Sequence, residues 1–290
     1  MIFLLLHIVF GSAFMLSIKW VHVRNKEDVI TVGCLNYILA AILIAPEFWQ
    51  MPAEHVTRNA MLTGGTMGLA YFICFFFVIY AIKWIGASST TVIAVLAIIV
   101  PISFGVFFWG EDPNPVQIAG IVLALLSLSL IGAHEDHTLE RSKHPWWLMP
   151  VALITLFALC GISRLAQEAY KHMCEPQERP AYLFTAFAIA AVPSIIVLIA
   201  RRKRITPSEI MFALLMGGSN ILQTHFLLRA LDYMDGFIVF PVASAGGMIF
   251  TVLVATRYFG ERLTRQTWIG ISIAAVALVM LNWLPAANGG

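Results

Sequence analysis

Charge is what this chain has least of. Only 12% of its 290 residues are Asp, Glu, Lys or Arg, against about 25% in ordinary soluble domains, while 60% are hydrophobic and the mean hydropathy is +0.84. Water is therefore not its main solvent. Long polar segments are scarce too: the longest connections between apolar runs are 46–59 and 134–146, so no soluble catalytic domain fits between them. There is no Gly-rich phosphate loop ending in Gly-Lys-Ser/Thr and no His-Glu-x-x-His zinc motif. Asp232 and Asp235, at a helix end, read as a solvated turn rather than a metal site. The cysteines Cys34, Cys74, Cys160 and Cys174 lack close metal-ligand spacing and read as packing residues. A net charge of +2 shows no basic bias, and Arg201-Arg202-Lys203-Arg204 is too short for a nucleic-acid surface. That run reads as a topology signal or a lipid-headgroup contact. The N-terminal MIFLLLHIVFGSA has no positively charged leader, which favours a retained first helix over a cleaved signal.

What remains is apolar and repetitive. A hydrocarbon core of about 30 Å takes about 20 apolar residues per helix, and ten candidate spans fall near 2–21, 28–45, 60–83, 88–109, 115–133, 147–170, 180–200, 208–231, 236–259 and 266–284. The sequence matches itself at an offset of 150 residues: Gly11 with Gly161, Gly110-Glu111 with Gly260-Glu261, and Gly120 with Gly270. Five spans per half is an odd number, so the second half enters the membrane with opposite orientation, an inverted-topology repeat common in secondary transporters. The predicted fold is an all-α membrane protein of ten transmembrane helices in two five-helix inverted repeats. Residues 1–133 form the first repeat, 134–146 a polar connector and 147–290 the second. The connector holds His134, Glu135, Asp136, His137 and His144, and a solvated polar tract accounts for them better than a metal site.

Local signals punctuate the spans. Asn114-Pro115 and Thr264 suit helix N-caps, Gly110 and Gly260 suit the left-handed residue that closes a helix, and Glu111 is then expected to face the positive start of the helix that follows it. Gly64, Gly65, Gly68, Gly217, Gly218, Gly246 and Gly247 invite close helix approach. Pro101, Pro193 and Pro241 mark candidate kinks. Ser88-Ser89-Thr90-Thr91 places hydroxyls at the start of the fourth span, a cap or an anion-facing helix end.

The Gly-Ser-Ala-Phe run followed by Lys19, the aliphatic fourth and ninth spans with Pro101 and Pro241, and the paired Gly-Glu…Gly signatures resemble the drug/metabolite transporter superfamily, specifically its EamA-type members. Phe10 stands where a tryptophan is common and Asn36 where many members carry arginine. The resemblance implies secondary transport of small metabolites, amino acids or related polar and amphipathic compounds among them, by alternating access and without a cofactor. It implies a multi-pass protein of a bacterial-type plasma (inner) membrane whose partners are a small-molecule substrate and the lipid bilayer. Proton coupling and a monomeric or homodimeric state both stay open, and nucleic acid is no partner. A scaffold or sensor without transport is the alternative, with a membrane-embedded enzyme behind it.

Ionisable groups deep in a span cost about 2.5–3.5 kcal/mol on insertion scales if left facing lipid, so each needs a reason to be there. Arg164 and Glu168 lie four residues apart in the sixth span, where they can pair with each other or face a cavity in which the arginine receives a substrate carboxylate in bidentate fashion. His225 sits mid-span near Asn220, Gln223 and Thr224; it is either a hydrogen-bonded packing residue or a proton carrier. Tyr71 opens the aromatic run YFICFFFVIY, which can wall a substrate or face lipid. Arg164, Glu168, Tyr71, Asn220 and His225 are the expected substrate-binding residues, placed near the bilayer midplane between the halves as the resemblance implies.

Orientation divides the two lines of reading. The odd-numbered connections carry most of the Lys and Arg residues, Lys26, Arg141, Lys143 and Arg201–Arg204 among them, which places them in the cytoplasm and both termini outside. The resemblance implies cytoplasmic termini. The charge count is the stronger guide, and it predicts that alkaline phosphatase fused to the C-terminus is active. An inactive fusion, with activity from a cytoplasmic reporter at the same position, reverses the assignment.

Overall fold

Ten α-helices follow one another in the computed structural model, which describes residues 1–24, 27–85, 90, 93–94, 96–132, 148–259 and 264–281. We number them α1 (Ile2–Arg24), α2 (Val29–Gln50), α3 (Arg58–Ile85), α4 (Ile99–Phe108), α5 (Pro115–Gly132), α6 (Leu148–Met173), α7 (Arg179–Arg201), α8 (Pro207–Leu231), α9 (Gly236–Phe259) and α10 (Arg265–Leu281). Among the described residues there is no strand. The connector histidines, the Gly260-Glu261 pair and Ser88, Ser89 and Thr91 lie outside the described residues.

Among the described residues, five helices are long and apolar enough to cross a membrane: α2, α3, α7, α8 and α9. The apolar parts of α1, α4, α5 and α10 are shorter. The 26-residue α6 is amphipathic because Arg164, Gln167, Glu168 and Lys171 follow the i, i+3, i+4, i+7 pattern along one face. Large apolar side chains cover the outside, with Ile199 at 70% and Phe107 at 80% exposure. An apolar surface of this extent suits a hydrocarbon surround, and the chain is an all-α membrane protein.

Helices of one half pack mainly on helices of the other. α1 lies against α8 and α9, α6 against α3 and α4, α2 against α7 and α8, α3 against α7, and α5 against α10. Exchanging each helix for its counterpart five places along the chain maps these pairs onto one another, but α5 also packs on α9, a contact that α10 and α4 do not repeat to the same extent. The core where they meet is aromatic. Tyr170 and Tyr182 are fully buried with ring centroids 4.9 Å apart, and the Tyr182 hydroxyl donates to Met67 Sδ at 2.8 Å.

Close approach depends on particular glycines. A Cβ on Gly64 or Gly68 of α3 would strike the backbone carbonyl of Tyr182 or Ala186 on α7, and one on Gly217 would sit 2.9 Å from the Asn36 carbonyl on α2. Gly246 packs against Ile8. Gly65 makes only ordinary contacts and Gly218 and Gly247 face open space, so the expected packing role does not extend to these three. The prolines divide similarly. Pro193 and Pro241 are inside helices, but Pro101 falls in the first turn of α4, where no hydrogen bond is lost. Pro46, which the hydropathy pattern places beyond the second span, is inside α2. The four cysteines are unbridged, and Cys74 Sγ approaches Cys160 Sγ to 3.2 Å across α3 and α6.

Gly68→Ala must push α3 away from the α7 backbone, and overpacking of this kind costs about 1–3 kcal/mol. Gly218→Ala, at the position 150 residues on, meets nothing and gains helix propensity. Thermal unfolding in detergent is expected to show a lower midpoint for the first variant and an unchanged or higher one for the second.

Candidate functional site

Polar side chains buried among these apolar helices collect at two levels. The first is built largely by α8, whose Asn220, Gln223 and Thr224 follow i, i+3, i+4 spacing and so share a face. Asn220 is 2% exposed; its amide donates to Asn36 Oδ1 on α2 at 3.4 Å, and Gln223 Nε2 donates to Asn220 Oδ1 at 3.0 Å. His7 Nδ1 on α1 meets the Gln223 carbonyl at 2.7 Å, and Ser12 donates to the Gly247 carbonyl at 3.1 Å. From the other side come α3 and α6. Gln167 Nε2 donates to the Tyr71 hydroxyl at 3.1 Å, Tyr37 donates to the Tyr71 carbonyl at 3.1 Å, and buried Thr224 stands beside the Tyr71 hydroxyl. Arg164 lies three residues before Gln167, on the same face of α6.

Three of the five expected site residues, Arg164, Tyr71 and Asn220, therefore join one layer that draws on both halves. His225 is directed elsewhere. It packs edge-on against Phe226 at 5.5 Å and has no hydrogen-bond partner among the described residues. The aromatic run splits: Phe75 packs edge-on with Tyr37 inside, while Phe72, Phe76 and Phe77 line an open apolar groove with Val197.

Glu168 belongs to the second level, at the C-terminal end of α6. Its carboxylate, fully buried, lies 3.3 Å from His172 Nε2 and 3.9 Å from Lys171 Nζ. Lys171 also binds Glu111 at 2.7 Å and Asp235 at 2.9 Å. Glu111 comes from the connection between α4 and α5, where Gly110 turns the chain at φ +70° as expected of a helix-closing glycine. It does not serve α5, whose N-terminus is capped by Asn114: Asn114 Oδ1 accepts from Gln117 N at 2.9 Å and Gln117 Oε1 from Asn114 N at 3.0 Å. Glu111 reaches across to α9 instead. Its Oε1 accepts from Gly236 N at 2.9 Å and its Oε2 from Phe237 N at 3.3 Å, the positive end of a helix in the other half. The turn that carries Asp232 and Asp235 is solvated at Asp235, but both acids have partners: Asp232 is ion-paired with buried Arg179 and half-exposed Asp235 with Lys171. The expected cap at Thr264 is present, accepting from Thr267 N at 3.2 Å.

Burial alone would raise the Glu111 carboxyl. The Lys171 ammonium and the Gly236 N–H outweigh it and hold Glu111 below the ordinary carboxylate range. Lys171 is the one ammonium that Glu111, Glu168 and Asp235 share, and it sits closest to Glu111 and Asp235. Gln167 and Lys171 were legible as site members, since they complete the face that Arg164 and Glu168 begin. Nothing in the sequence pairs Glu111 with α9.

Residues 1–133 match the EamA-like transporter family. Over 273 residues the chain is 23% identical to an uncharacterized protein of Haemophilus influenzae, covering 90% of this chain and 92% of that protein. A protein of known crystal structure, 12% identical, superposes with a TM-score of 0.76 over 97% of this chain and 95% of its own, which shows a shared fold.

A carboxyl held below its ordinary value stabilises the fold above the unfolded-state pKa of about 4.3, and that contribution is lost as pH falls through the folded-state value. Glu111→Gln is expected to cost about 1–3 kcal/mol at neutral pH, the scale of hydrogen bonds to a charged group. Unfolding midpoints of wild type and variant should converge as the pH drops below about 4. A gap that stays constant with pH excludes an ionised Glu111.

Proposed function

Because residues 1–133 match the EamA-like transporter family, we propose that this multi-pass membrane protein is a secondary transporter of a small polar or amphipathic metabolite, with amino acids the leading class. At family level the activity is transport rather than enzymatic chemistry. In our reading the halves form an inverted repeat, related by a pseudo-two-fold axis in the membrane plane, and expose a central site to each side of a bacterial inner membrane in turn. The observation that carries this is the buried polar layer to which α1, α2, α3, α6 and α8 all contribute. Polar side chains from both halves converge there inside apolar helices. The helix pairs that map onto one another between the halves, all but the α5–α9 contact among the cross-half pairs, support the axis.

Arg164, Tyr71 and Asn220 face the substrate in this reading. Glu168 closes the site toward one end, and His225 borders it from the adjoining face of α8. A guanidinium offers a carboxylate two parallel hydrogen bonds, which an ammonium cannot reproduce. Purified protein in liposomes, screened for uptake and efflux of amino acids and other small metabolites under imposed pH and sodium gradients, tests the function. Arg164→Lys should raise the KM for a carboxylate-bearing substrate about 10- to 100-fold, the equivalent of one charge-assisted bond, and His225→Gln should reduce transport less. A protein that folds normally and moves nothing in the screen favours a scaffold or sensor.

A further inference from the structure

We propose that Glu168 and Glu111 share one proton and form a proton-binding site that ties the α4–α5 connection of the first half to α6 and α9 of the second. Its role in a transport cycle rests on the transporter reading above; its existence does not.

The two carboxyls are unequal. Glu111 is supplied as an anion should be, with Lys171 Nζ at 2.7 Å and the Gly236 and Phe237 amides at 2.9 and 3.3 Å. Glu168 is fully buried, and its Oε2 has no hydrogen-bond partner. That oxygen packs directly on Gly236, where a Cβ would overlap it. Glu111, Glu168 and His172 bring acceptor or donor atoms within 4.8 Å of one another. The groups facing Glu168 are Glu111 from the α4–α5 connection, Lys171 and His172 from its own helix, Asp235 from the α8–α9 connection and the N-terminal amides of α9.

Three carboxyls thus surround one ammonium, and Lys171 is bound most closely to the other two. A desolvated carboxylate oxygen without a donor is unfavourable, and like charges at this distance disfavour two ionised forms. A proton on Glu168 removes the excess negative charge and supplies a donor toward Glu111. Loss of that proton to the aqueous end, where Asp235 is half-exposed, leaves Glu168 as a carboxylate against Glu111. The repulsion is relieved by moving Glu111 off the α9 amides, which opens this end.

Purified protein in lipid nanodiscs tests this without any substrate. Infrared titration should show a protonated-carboxyl band at neutral pH that is absent in Glu168→Gln and displaced in Glu168→Asp, a variant that keeps the group if the glutamine variant folds poorly. Hydrogen exchange at Gly236 and Phe237, corrected for intrinsic rates, should speed up about tenfold or more in wild type as Glu168 deprotonates, matching loss of a charge-assisted bond. In Glu168→Gln it should be slow and independent of pH. No Glu168-dependent band at neutral pH, or the same pH dependence of exchange in wild type and Glu168→Gln, overturns the proposal. Failure of transport with both signals intact counts against the transporter reading alone.

Discussion

A polar atom buried among apolar helices has only the protein to satisfy it. That constraint sorts the polar residues of this chain into groups that answer one another. Asn36, Asn220 and Gln223 form one chain of amides, and Tyr71 and Gln167 form another pair. At the end of α6, Lys171 holds Glu111 and Asp235 together. At the opposite end of the helices, Arg201 reaches Asp28 at 2.6 Å, and Lys203 reaches Glu209, whose other oxygen closes a capping box with Thr206. The apolar surface between these levels is left to the surrounding hydrocarbon.

The same constraint explains why the halves interlock. α1 finds its neighbours in α8 and α9, and α6 in α3 and α4, so neither half encloses its own polar face. The contact between α3 and α7 is close because Gly64 and Gly68 present bare backbone at successive turns to the Tyr182 and Ala186 carbonyls. Backbone set on backbone at this spacing leaves little room for rotation. The polar layer around Tyr71 is held by the same helix, so its geometry is fixed by packing rather than by side-chain choice.

Features encoded over a few residues were legible in the sequence, and features made by distant partners were not. The caps at Asn114 and Thr264 and the turn at Gly110 depend on neighbours within four residues, and each is present; the spans are present as helices, the fourth being described as a continuous helix only over Ile99–Phe108. Glu111 looked like a partner for α5 because that helix is next in the chain, but Asn114 was already there and α9 was in need of an acceptor. Asp232 and Asp235 read as a solvated turn, and Asp235 is half-exposed, but the cations that pair with them are 53 and 64 residues away and were not legible. Gly218 repeats Gly68 in sequence without repeating its contact, since the offset conserves a position along a helix and not the neighbour it meets. Of the site, the face of α6 was readable from its spacing, whereas the contacts of Tyr71 with Gln167 and of His225 with Phe226 depend on how α3 and α8 rotate in the assembled bundle.

Glu111 terminates a helix that is made more than a hundred residues after it. Until α9 exists, this carboxylate has no amides to accept from, and until α6 exists it has no ammonium. The first five helices therefore leave the ribosome with an unmatched acid at one end and unmatched amides and a phenol near the middle. Their final arrangement waits on the last helices to be synthesised. The order of the chain thus makes completion of the fold a late event, since Glu111 waits for α9 and α5 for α10.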